Sequence, residues 1–170
     1  GGSMAFVARK EASPVACAVK LPDPGPTIDL LRRFASGIEQ QKAELKGLVS
    51  LARSNGFQVA VYGAAPRSCL LASVCQIADK IDFVIDDRQD IQNRLMPGTP
   101  NVVRPLAEVA GVVGAKLLCL LGVGSENEFK VRTRIEDTVS ADVAYVSLFP
   151  PRDMLQSVDA ARRAITASQK

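Results

Sequence analysis

The stretch Gly56–Asp87, GFQVAVYGAAPRSCLLASVCQIADKIDFVIDD, constrains the fold more than any other part of the chain. Phe57–Tyr62 is a short run of β-branched, aromatic and small apolar residues, as a pleated strand requires. Gly63-Ala64-Ala65 follows with almost no side-chain bulk, and Pro66 suits a first helical turn, where its missing N–H costs nothing. Leu70, Leu71, Val74 and Cys75 then recur at helical spacing, and Ile81–Ile85 supplies a second apolar strand that closes on Asp86-Asp87. Two buried strands joined through a helix make a right-handed βαβ crossover, the unit of parallel α/β sheets.

This unit can carry function. Small residues after the first strand let a ligand approach the backbone, and the following helix N-terminus offers free N–H groups and a positive dipole end to an anion. Asp86 ends the second strand, where dinucleotide-binding folds place an acid that accepts from ribose hydroxyls. A bare strand–helix turn accounts for the same residues. The three-glycine fingerprint is absent, because Gly63 is followed by Ala65 and Ser68 rather than further glycines. Both readings stay open on this stretch alone.

The flanking chain extends the pattern. Gly1-Gly2-Ser3 before Met4 is read as an expression scar, and residues 4–26, with four prolines and little periodicity, as a flexible or extended lead-in. A strand at Phe6–Ala8 or Ala16–Val19 is only weakly supported. Thr27 can cap a long helix with an apolar stripe at Ile28, Leu31, Phe34, Ile38, Leu45, Leu48, Val49 and Ala52, ended by Asn55-Gly56. The stripe is expected to pack on the sheet. Asn101–Val103 is a third, edge-like strand, and Pro105–Ala110 a short helix. Lys116–Leu121 (KLLCLL) reads as a central strand covered on both faces. Ser125 followed by Glu128 has the form of a capping box, predicting a helix to about Ile135. Asp142–Leu148 is the fifth strand, and Asp153 caps a last amphipathic helix. The expected architecture is a three-layer α/β/α domain over 27–170, its mainly parallel five-stranded sheet in the order 3-2-1-4-5.

Composition removes several function classes. The chain has 170 residues and no histidine, so Ser-His-Asp and Cys-His pairs and histidine metal ligands are excluded. A net charge of +3 without a basic, aromatic-interleaved run argues against nucleic acid as a partner. No apolar run is long enough for a membrane span, and no signal-peptide pattern is visible, so a cytoplasmic protein is expected. Cys17, Cys69, Cys75 and Cys119 are scattered, three of them in apolar strand or helix patterns, as buried free thiols would be.

Three separated segments carry a family resemblance: VAVYGAAPRSCLL, then IDFVIDD, then LMPGTPNVVRP. In that order and spacing they resemble the C-terminal domain of the three-domain sugar C-methyltransferases, which act on nucleotide-linked deoxysugars. The family pattern is similar to YGAxxKG-xxLL, a D-[FY]-[VI]-x-D strand and a PGTxxPV turn, and the likeness covers about Leu30 to Leu148. Arg67 stands where the family usually has lysine, and Ser68 where it has glycine. Charge is kept, but a position of close backbone approach gains a side chain.

The resemblance implies a Rossmann-like domain that helps hold a nucleoside-diphosphate sugar against a separate methyl-donor domain, in cis or in trans. S-adenosylmethionine is implied for the full-length enzyme, with no cofactor and no catalytic residue expected in this chain. A piece of a larger enzyme and a free-standing relative both fit. The candidate ligand-binding residues are Tyr62, Gly63, Ala64, Ala65, Arg67, Ser68, Asp86, Pro97, Gly98 and Thr99. The Pro97–Thr99 turn is expected over the C-terminal strand edge, where such sheets bind ligands. Glu128 is read as a capping partner and Tyr145 as core. Two other classes fit the fold: an NAD(P)-dependent oxidoreductase domain and a non-enzymatic interaction module.

Overall fold

The computed structural model describes residues 25–150 and 153–168. They belong to two compact units, the first ending at Phe34 and the second beginning at Ala35. The possible strands at Phe6–Ala8 and Ala16–Val19, and Cys17, lie outside the described residues.

Helix α1 (Gly25–Ser54) runs through the boundary between the units. It ends as expected: Gly56 takes φ +77°, its N–H donates to Arg53 O at 3.1 Å, and the Phe57 N–H donates to Ala52 O at 3.0 Å. The apolar stripe divides. Leu45, Leu48, Val49 and Ala52 are fully buried, whereas Ile28, Leu31 and Phe34 of the first unit are exposed by 43–65%. The C-terminal end of the stripe therefore packs in the core of the second unit, as expected. Leu48→Ala should cost about 2–5 kcal/mol in urea unfolding, through lost burial and a residual cavity. Leu31→Ala should stay within about 0.5 kcal/mol, as exposed positions do.

In the second unit β1 (Gln58–Tyr62), β2 (Phe83–Ile85), β3 (Val103–Arg104), β4 (Lys116–Leu121) and β5 (Asp142–Ser147) form one sheet. All its ladders are parallel, and its order is 3-2-1-4-5. Val59 lies directly opposite Leu118 in the central β1–β4 pair. The β4 strand has the predicted bounds, and its last five residues are buried. Side chains of a strand alternate between faces, so Leu118 and Leu120 join one core while Leu117, Cys119 and Leu121 join the other. The end of α1, α2 (Pro66–Val74) and α5 (Met154–Ala167) cover the first face. Helices α3 (Leu106–Ala110) and α4 (Ser125–Thr138) cover the second. The result is three layers.

This wrapping creates a switch point. From β1 the chain moves to β2 through α2 on one face, and from β4 to β5 through α4 on the other. The loops leaving β1 and β4 thus diverge at the C-terminal edge of adjacent strands, where open α/β sheets form a crevice.

Candidate functional site at the sheet switch point

Gly63 adopts φ +102°, a conformation open to glycine and strained for L side chains. A Cβ on it would lie 3.1 Å from the Gly122 carbonyl carbon, so the two divergent loops touch backbone to backbone. Ser68, 1% exposed, turns its hydroxyl inward and donates to Gly122 O at 3.4 Å. The Ser68 side chain therefore packs between the two loops. Gly122 is what makes room for it.

Two aspartates hold the site from β2. Asp86, 13% exposed at its side chain, accepts the Ala64 N–H on Oδ2 and the Arg88 N–H on Oδ1, each at 3.0 Å; Arg88 Nε is 3.4 Å from Oδ1. Asp87 accepts the Tyr62 hydroxyl, the Leu106 N–H at 3.3 Å and an ion pair from Arg134 at 3.0 Å. Burial raises the Tyr62 pKa, and the Asp87 hydrogen bond and charge push it the same way, so the phenol stays a donor. Tyr62 is 5% exposed and belongs to the α3–α4 face, which makes it a brace for Asp87.

The open anion donors are few. Gly63 N–H goes to Ile85 O at 2.7 Å, Ala64 N–H to Asp86, and Ser68 N–H to Ala65 O at 2.9 Å. Pro66 has none. That leaves Ala65 N–H and Arg67 N–H without a hydrogen-bond partner among the described residues, at a helix start with no side-chain cap. The Arg67 side chain joins them. It is exposed, has no ion pair among the described residues, and places its guanidinium 4.5 Å from the Phe149 ring centroid. A cation in a first helical turn opposes the dipole, and the Phe149 ring face is the contact that favours it there.

The structure corrects two placements. Pro97–Thr99 is not at this edge. Its loop has already returned along the sheet before β3, with Asn101 Nδ2 donating to Ile81 O at 2.7 Å just ahead of β2. Parallel strands put that position at the N-terminal edge. Glu128 does not close a capping box either: Gly124 is the N-cap, and the Glu128 carboxylate accepts the Ser147 hydroxyl from the neighbouring strand. Arg134 and Phe149 enter the site with no sequence signal to mark them, whereas Gly122 opens the Gly122-Val123-Gly124 turn after the apolar β4 strand, a GxG that a turn and a helix cap explain by themselves.

The nucleophilic groups nearby are held neutral. Burial raises the Cys69 and Cys75 thiols and pushes Cys119 up to about 12; all three are free. Tyr145 is likewise raised by burial, with Arg132 stacked over its ring at 4.6 Å. No helix among the described residues is long and apolar enough to cross a membrane, and no group of three or more candidate metal ligands occurs among them. The arrangement can bind an anion; proton transfer would need a group that is not already committed.

A family model described as the C-methyltransferase C-terminal domain matches residues 24–120. The matched span contains Gly63–Ser68, Asp86, Asp87 and the Pro97–Thr99 turn, while Gly122, Glu128, Arg134, Ser147 and Phe149 lie beyond it. No curated protein sequence matches the chain.

Proposed function

We propose, from the premise that this chain belongs to the C-methyltransferase C-terminal domain family, that its switch-point crevice holds a nucleoside-diphosphate sugar for methylation by a methyl-donor domain acting in cis or in trans. The observation that carries this reading is the exposed Arg67 guanidinium on Phe149, beside the free N–H groups of Ala65 and Arg67 at an uncapped helix start. Together they suit a diphosphate. Asp86 is a positioning residue in this scheme. It fixes the Gly63–Ala65 loop through Ala64 N–H, and its remaining lone pairs can still meet a sugar or ribose hydroxyl.

S-adenosylmethionine, the donor implied for a complete enzyme, belongs in this scheme to the methyl-donor domain. Amide shifts followed through a titration test the scheme. Thymidine and uridine diphosphates should move Ala65, Arg67 and Phe149 saturably, with S-adenosylmethionine and NAD moving none of them. Saturable binding of S-adenosylmethionine alone would sink this reading.

A further inference from the structure

The Pro97–Thr99 turn, which the switch-point crevice does not use, lines a basin at the opposite edge of the sheet. Lys46, Gln76, Asp79, Lys80, Gly98 and Thr99 are among the residues that line this open basin of about 680 Å³. We propose that this basin is a second ligand site, taking the anionic end of a small organic phosphate between Lys46 and Lys80.

Charge is the first ground. Lys46 Nζ donates to Gln76 Oε1 at 2.9 Å, and Lys80 Nζ to Ser50 Oγ at 3.1 Å. Both acceptors are neutral, and neither ammonium has a carboxylate within ion-pair distance among the described residues. Each ammonium has three donors, so each keeps two for a ligand. Asp79 is the one carboxylate on the rim, which favours a phosphate carrying a hydroxyl over a bare multivalent anion.

The second ground is backbone strain. Helix α2 ends in a Schellman pattern, with Ile77 N–H to Ala72 O at 3.0 Å and Gln76 N–H to Ser73 O at 3.1 Å. That pattern wants glycine at its left-handed position, and α1 supplies one in Gly56. Here Gln76 holds φ 53° instead. Its side chain reaches Lys46 on the basin wall, so the strained position contributes a group that glycine would lack. Across the basin Gly98 has φ +82°, and a Cβ on it would meet Ser73 Oγ at 2.8 Å, so the turn is held close to the end of α2.

The test is an amide-shift titration of the full chain with ribose 5-phosphate, with ribose as the uncharged control. Saturable shifts are expected at Gln76–Lys80 and Gly98–Asn101, with ribose giving none. The double variant Lys46→Gln/Lys80→Gln should weaken binding about tenfold or more, while Arg67→Ala leaves it unchanged and so separates this site from the switch point. Gln76→Gly should raise Tm by about 2–4 °C and weaken binding. Absence of saturable shifts, or shifts that survive the double variant, overturns the proposal. Unchanged binding in Gln76→Gly overturns the part given to Gln76.

Discussion

Gly122→Ala is expected to destabilise the protein by about 2–4 kcal/mol, well beyond what one added methyl costs at a surface. The cause is crowding. A Cβ there would lie 2.9 Å from Gly63 O and 3.2 Å from Ser68 Cβ, and would overlap Ser68 Oγ. Backbone conformation is not the issue at Gly122, in contrast to Gly63, whose φ of +102° would itself strain any side chain. Relief comes from turning the Ser68 hydroxyl away, which breaks its hydrogen bond to Gly122 O, and from parting the β1–α2 and β4–α4 loops to clear Gly63 O, which strains the Gly122 N–H bond to Tyr62 O at 2.8 Å. Part of the cost must therefore pass through Ser68. The double variant Ser68→Gly/Gly122→Ala should recover about 1 kcal/mol relative to additivity, the size of coupling found between touching residues. Chemical denaturation of the four proteins measures it. Strict additivity would show that Ser68 is not what Gly122 makes room for.

Much of the frame was legible because burial imposes a pattern on it. KLLCLL could be bounded to the residue, since a strand covered on both faces leaves no polar position inside it. The Asn55-Gly56 stop and the Asp153 cap were equally plain, the latter accepting the Leu155 N–H at 2.9 Å. The β2 strand proved shorter than its apolar run because Ala78–Lys80 winds one 3-10 turn first and Asp82 turns its carboxylate to the Val59 N–H. Tertiary partners are what local reading lacked. Ser125 and Glu128 have capping-box spacing, yet Ser147, brought alongside by β5, takes the Glu128 carboxylate. The turn chemistry of Pro97–Thr99 was readable, but which end of the sheet it serves depends on a loop that runs the full strand length between β2 and β3. The exposed start of the α1 stripe has the same periodicity as its buried end, so spacing alone could not separate them.

Arg67→Ala should weaken nucleoside-diphosphate binding roughly ten- to a hundredfold, the equivalent of the 1.5–3 kcal/mol of a charge-assisted hydrogen bond. The side chain is exposed and has no ion pair among the described residues, so its loss should leave folding stability within about 0.5 kcal/mol, and the effect can be read as binding. Arg67→Lys separates charge from shape. Lysine keeps the positive charge that the family pattern carries there, but it lacks the planar fork and the stacking on Phe149, so an intermediate loss is expected. Phe149→Ala should cost less than either, about two- to fivefold, because it removes a cation–π contact of about 0.5–1 kcal/mol at a half-buried ring while the guanidinium keeps its charge and its hydrogen-bonding fork. The order alanine, then lysine, then Phe149→Ala is itself the signature of an arginine pre-positioned by an aromatic face. Calorimetric titration of thymidine and uridine diphosphates at low salt into the four proteins measures it, because screening would shrink a surface electrostatic term. Equal binding by all four would remove Arg67 while leaving the Ala65 and Arg67 N–H groups as candidates. No binding to any of them at millimolar nucleotide would remove the ligand itself, and with it the reason for an unpaired arginine in the first turn of α2.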